Sequence, residues 1–213
     1  MNFKNVICSL SASAFLIIGA MDSQAEIVML DAPFDKIAAP NSVAEGALES
    51  DSLFRVFDEK QGVTIGASLG LAAGTYNSYF IHFDKTSSSS NDFTLDPATN
   101  PTITFSDNIV AIFAKDSDLD DSDGVFGSMT TTYVASSVQD LRGAGTINGE
   151  GNDNFSDSGD SLASAIGTKV FTLDKLRLVG TGVDQIRIVT AVPEPSSLAL
   201  FGFAMFGLAR RRK

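Results

Sequence analysis

The stretch YNSYFIHFD (Tyr76–Asp84) decides the fold class. Successive side chains of an extended chain point to opposite faces. Tyr79, Ile81 and Phe83 therefore share one face, and Ser78, Phe80 and His82 the other. Aromatic and β-branched residues at this density favour a strand over a helix. Short segments of the same kind lie on both sides. Leu53–Phe57 and Val63–Ile65 precede it, with a turn at Gln61-Gly62. TITF (Thr102–Phe105) and IVAIFA (Ile109–Ala114) follow, and Asp107-Asn108 between them reads as the turn of a hairpin. KVFTLDKLRLVG (Lys169–Gly180) and DQIRIVTA (Asp184–Ala191) come late. In the last, Ile186 and Ile188 alternate with Gln185, Arg187 and Val189, the pattern of a half-buried strand. Only Asn41–Ser50 reads as a short helix, with Asn41 or Ser42 as its cap. Many short strands separated by Gly, Asn, Asp and Ser predict a mainly β chain, a single antiparallel sandwich or jelly-roll-like domain. No internal period marks a solenoid.

The two ends read as addresses. Lys4, the apolar run Val6–Ala20 and the small residues Ser23 and Ala25 have the three-part order of a secretory signal peptide, cleaved after Ala25. Cys8 lies inside that segment, so the mature chain has no cysteine for a disulfide or a thiolate site. At the other end Ser196–Ala209 carries no charge, and Arg210, Arg211, Arg212 and Lys213 follow directly. This reads as a short transmembrane helix stopped by a basic cluster that stays in the cytoplasm. The expected organisation is a signal peptide (1–25), an extracellular β domain (26–191) and a C-terminal sorting segment (192–213).

Val192-Pro193-Glu194-Pro195-Ser196, the apolar run and the basic end together resemble the PEP-CTERM sorting signal. The resemblance implies recognition of Pro193, Glu194 and Pro195 by an exosortase, a transpeptidase-like membrane enzyme. It implies removal of the tail and passage to the cell surface or exopolysaccharide matrix. The two prolines fix φ and donate no hydrogen bond, which keeps the motif extended and outside the helix. Glu194 is the one charge between Val192 and Ala209. A second resemblance rests on GALESDSLFRVFDEKQGVTI, GTYNSYFIHFD, TITFSDNIVAIFAKDSDLDDSDGVFG and GVDQIRIVTA. These blocks resemble a recurrent extracellular bacterial domain found ahead of PEP-CTERM tails. It implies one secreted, β-rich domain and assigns no functional residue.

Between the two ends, Glu26–Val192 holds 10 Lys+Arg against 24 Asp+Glu, a formal charge of −14. Such a surface repels nucleic acid and anionic lipid, and suits cations or a hydrated matrix. The sharpest candidate for chemistry is DSDLDDSDG (Asp116–Gly124). Asp116, Asp118 and Asp120 alternate, and Asp121 and Asp123 follow, as oxygen ligands of a Ca²⁺ loop would. The EF-hand pattern is not met: Asp121 stands at its glycine position and Gly127 at its glutamate position. The run thus reads either as a Ca²⁺ site, the one cofactor suggested, or as a solvated acidic loop. GNDNFSDSGD (Gly151–Asp160) is a single imperfect copy of a calcium-binding repeat.

His82 is the only histidine, so a multi-histidine zinc site is excluded. A Ser-His-Asp triad would have to use His82, which sits within a strand pattern. Tryptophan is absent, which leaves only Tyr76, Tyr79 and Tyr133 for a sugar platform, and core packing or an ordinary strand surface explains them more simply. The reading is a non-enzymatic surface or matrix protein with a structural or adhesive role. The alternatives are a polysaccharide-binding module and, from another class, a hydrolase using two carboxylates.

Overall fold

The computed structural model describes residues 26–86, 93–94, 100–133, 161–162, 166–175, 177–178 and 183–192. All of them belong to one compact unit, Ser23–Glu194. The chain is mainly β. Its strands are β1 (Ile27–Leu30), β2 (Phe34–Lys36), β3 (Phe54–Asp58), β4 (Val63–Ile65), β5 (Gly74–Asp84), β6 (Phe93–Thr94), β7 (Thr102–Phe105) and β8 (Ile109–Phe113). After helix α1 (Asp116–Phe126) come β9 (Ser161–Leu162), β10 (Val170–Lys175), β11 (Arg177–Leu178) and β12 (Val183–Ala191).

One sheet has the order β1-β7-β10-β9, and a larger one the order β2-β3-β5-β12-β8 with β4 beside the start of β5. β6 and β11 form a separate two-stranded ribbon. Pairing is antiparallel except between β2 and β3, which run parallel. Residues from both larger sheets share one apolar core: Ile103, Phe105, Phe171 and Leu173 from the first, Val56, Tyr79, Ile81, Phe83 and Ile188 from the second. Tyr79 meets Phe105 at 4.8 Å between ring centroids, and Phe34 meets Phe171 edge-on at 6.3 Å. Each such pair adds about 0.5–1.5 kcal/mol beyond its buried area.

The other face of the larger sheet is also covered. Phe57, Tyr76, Phe80, Phe113 and Val189 form a second core there with Val43, Leu119 and Phe126. The two faces divide as the alternation in Tyr76–Asp84 predicts, but neither is open to solvent. β12 is buried along Val183–Thr190, so it is not the half-buried strand that its alternation suggests.

Three further expectations are corrected. TITF and IVAIFA are both strands but not a hairpin. β7 pairs with β1 and β10, whereas β8 pairs with β12 in the other sheet. The step through Asp107-Asn108 carries the chain between sheets, so Phe105 and Ile109 enter the same core from opposite sides. Asn41–Ser50 is not a helix. Gly46 there has φ +82°; the segment keeps one turn bond, from the Ala47 N–H to Ala44 O, while the Gly46 and Ser50 N–H groups bond to Asp84 and Val43 O accepts from Gln185. The acidic run Asp116–Gly124 is helical, not a loop. Leu119, Ser122 and Phe126 fall on its buried side at helical spacing. Acidic side chains in the first turn favour the helix through its dipole. At the end of α1, the Gly127 N–H donates to Asp123 O at 2.9 Å. A Cβ on Gly127 would lie 2.6 Å from that oxygen and 2.9 Å from the Tyr133 ring, so close approach requires glycine here.

Candidate functional site

The covered second face holds the polar groups with the most chemistry. Arg187 on β12 is in register with Phe80 on β5 and Phe113 on β8, and is 0% exposed. A guanidinium has five N–H donors, and here all five are engaged. Nε and Nη2 donate to the two oxygens of Glu59, each at 2.8 Å. Nη2 also donates to Asp123 Oδ1 at 2.7 Å. Nη1 donates to Leu119 O at 3.1 Å and to Ser122 Oγ. The guanidinium carbon lies 5.3 Å from the ring centroids of both Phe80 and Tyr133. Ser78 Oγ donates to Glu59 Oε2, and Lys60 Nζ to Val125 O at 3.0 Å. One residue thus ties β12, the end of β3 and helix α1 together.

The electrostatics follow from burial. Burial alone would lower the pKa of Arg187, but Glu59 and Asp123 outweigh it and hold the pKa above its ordinary value. The Asp123 carboxyl is held above its ordinary value: burial is the largest cause, the charges of Glu59 and Asp120 add to it, and the bond and charge of Arg187 offset only part of the rise. Two carboxylates around one guanidinium leave excess negative charge, and a proton on Asp123 relieves it. Burial and the charge of Glu59 raise the Tyr133 hydroxyl. Its oxygen accepts the Ser128 N–H at 2.9 Å.

His82 forms a second buried group. It stands opposite Gln185 in the sheet, and both are 0% exposed. Gln185 Nε2 lies 2.8 Å from Val43 O and 3.0 Å from His82 Nδ1. The amide donates to both, which makes Nδ1 an acceptor and puts the ring proton on Nε2. That nitrogen is 3.9 Å from Asp84 Oδ2. The carboxylate accepts the Gly46 N–H at 2.7 Å, and Asp84 O accepts the Ser50 N–H at 2.7 Å. The group straps Val43–Ser50 onto the sheet.

The expected Ca²⁺ ligands do not form a loop. On a helix, alternate positions point about 200° apart, so Asp118 and Asp120 do not share a face as they would in an extended run. Asp123 is bound to Arg187, while Asp120 and Asp121 are exposed. Among the described residues no three acidic, His or Cys side chains group so as to hold a metal ion. The tyrosines pack against other rings, as the core-packing reading expects, rather than as a surface platform. Tyr76 packs on Phe126, Tyr79 on Phe105 and Tyr133 on Phe80. The sequence pattern missed Glu59 and Arg187. The signal was Phe80, an aromatic residue that shares its face of β5 with Ser78 and His82.

Pro193, Glu194, Pro195, the run 196–209, the basic residues Arg210 to Lys213, Ala25 and the signal segment lie outside the described residues, as do Ser87–Asp92 and Gly151–Asp160. Among the described residues no helix is long and apolar enough to cross a membrane. What the structure does place is the approach to the motif. β12 runs in the middle of the larger sheet to Ala191, and the Val192 N–H donates to Thr75 O at 2.9 Å. The PEP-CTERM protein-sorting motif matches residues 191–213. This chain carries a PEP-CTERM sorting signal. The signal implies an exported protein, processed by an exosortase and sorted to the cell surface. The match covers no residue before 191, so the extracellular domain that the β-rich blocks resemble is not part of it. No curated protein and no solved structure matches the chain.

Proposed function

We propose that the β-rich unit is a non-catalytic structural or adhesive module of the cell surface or exopolysaccharide matrix, built as a β-sandwich. It is exported by the signal peptide and held for a time by the apolar run 196–209. It is then cut at or near Pro193-Glu194-Pro195. The observation that carries the reading is the PEP-CTERM signal at 191–213, which begins within the last strand of the domain. The buried chemistry supports it. The one histidine has its Nδ1 occupied by Gln185 and its ring inside the sheet. The Arg187 donors are all engaged within the protein, and the carboxylates of Glu59 and Asp123 are brought together on that guanidinium rather than on either side of a reacting bond.

Intact mass of the mature protein from its host tests this. The expected mass lacks Met1–Ala25 and the residues after the Pro-Glu-Pro motif. A mass that retains Ser196–Lys213 would mean permanent anchoring and would defeat the release step. Loss of matrix cohesion in a deletion strain, rescued by the full chain, is the expected phenotype of a structural role.

A further inference from the structure

The sorting motif leaves the domain without a spacer. Ala191 is in register with Tyr76, and its N–H donates to Asn108 O at 3.1 Å. The Val192 N–H is held by Thr75 O, and Pro193 follows at once. At 3.3–3.6 Å per residue the chain reaches no more than about 11 Å from Val192 to Pro195. Fraying would extend that reach only by breaking a strand paired on both sides and buried on both faces. A protein that closes around Pro193–Pro195 therefore meets the surface beside Thr75.

That surface is the connection from β4 to β5. Thr64 pairs with Thr75 and Ile65 with Gly74. Between them the chain makes a tight reversal, with the Leu71 N–H donating to Ser68 O at 2.8 Å and the Ser68 N–H to Leu71 O at 3.1 Å. The Tyr76 hydroxyl braces it by donating to Ala72 O at 2.9 Å. Ala67, Ser68, Ala72 and Ala73 are exposed. No charged side chain occurs from Gln61 to Ile81, 21 residues in a chain that is 19% charged with net charge −11. An acidic protein thus presents an uncharged, braced surface next to the one segment that an enzyme must grip. Charge depletion is the compositional mark of the centre of a protein interface.

We propose that the exposed turn Gly66–Ala73 is a second contact surface for the membrane-embedded sorting enzyme that engages Pro193–Pro195. The proposal rests on the exosortase reading of the motif. The enzyme meets motif and folded domain together, because β12 holds both within one enzyme's footprint.

The test measures cleavage of the full chain by the detergent-solubilised enzyme. The variant Ala67→Glu/Ala72→Glu/Ala73→Glu places three carboxylates on the surface, and its thermal unfolding should match the parent. Cleavage is expected to slow by roughly tenfold, because charge buried unpaired at an interface opposes association. Inserting a twelve-residue Gly/Ser linker between Val192 and Pro193 of the same variant should restore the parent rate. Parent-rate cleavage without the linker would overturn the proposal, and so would slow cleavage that the linker fails to rescue. An effect seen only in lipid vesicles would assign the surface to the bilayer and overturn it too. Deletion of Pro193–Pro195 separates the two readings: continued processing there would defeat the motif reading itself, whatever the turn variants do.

Discussion

The two faces of the larger sheet are built from the same strands and held by different forces. On one face Val56, Ile81, Phe83, Ile186 and Ile188 meet the apolar side of the smaller sheet. Attraction there is non-directional and roughly proportional to buried area. On the other, Ser78, His82, Gln185 and Arg187 lie among Phe57, Phe80 and Val189. A polar group left unpaired there costs about 1–3 kcal/mol or more. All five Arg187 donors are engaged, whereas His82 Nε2 and Gln185 Oε1 have no hydrogen-bond partner among the described residues. The first face tolerates small losses of volume. The second depends on a particular set of hydrogen bonds, which fixes where helix α1 and the segment Val43–Ser50 lie. An apolar face selects a fold class, and a polar face held by directional hydrogen bonds selects one arrangement of what covers it.

The sharpest way to break that comparison is Arg187→Ala. It leaves the buried Glu59 carboxylate without its cation and releases α1 from β12. Removing one partner of a buried ion pair costs about 3–5 kcal/mol, so urea unfolding of the purified protein should lose that much. Arg187→Lys should recover only part of it, because an ammonium cannot serve Glu59 bidentately while also reaching Ser122, Leu119 and Asp123. Full stability in the alanine variant would mean that the second face is held by its apolar residues alone.

Ile81→Val sharpens the contrast from the other side. Ile81 is 1% exposed within the apolar core. Loss of one methylene there should cost about 1 kcal/mol. The loss should be the same at pH 4 and pH 7, since no ionised group bonds to the side chain. A loss that changes with pH would show that the apolar face is coupled to the titrating groups on the opposite face.

The same division decides how much was legible in the sequence. Strands β4, β5, β7 and β12 were readable because alternation follows from backbone geometry alone. Which sheet each strand joins was not readable. Asp107-Asn108 has hairpin chemistry, and only the packing of Phe105 against Tyr79 shows that the chain changes sheets there. The acidic run was misread for a related reason. Five aspartates give no apolar stripe, and α1 exists because Leu119 and Phe126 anchor one side while Ser122 and Asp123 bond Arg187, 65 and 64 residues away. Asn41–Ser50 has good helix formers, but Asp84 and Gln185 hold its backbone otherwise. The sorting signal was legible because it is a local string that an enzyme reads extended. The Arg187 centre was not, because its hydrogen-bond partners come from two segments far from it in sequence, Glu59 and helix α1.

The smallest expected effect is also the most specific to the polar face. Asp123→Asn keeps an oxygen for Arg187 Nη2 and removes one of the two negative charges around it. Glu59 retains its bidentate grip, so stability at neutral pH should change little. The pH dependence should change in sign-specific fashion. Burial raises the folded-state pKa of Asp123 above its unfolded value. Between those two values the folded state binds the proton more tightly than the unfolded chain does. The stabilisation from that group is complete below the unfolded pKa and is lost as pH rises through the folded one. The asparagine has no such loss. The melting temperature of the variant relative to the parent should therefore rise as the pH is taken from 4 to 7, with all other titrating groups common to both proteins. A relative melting temperature that falls over the same range would mean that attraction to Arg187 outweighs burial. Asp123 would then be an ordinary stabilising ion-pair partner, and the excess negative charge assigned to the Arg187 centre would not exist.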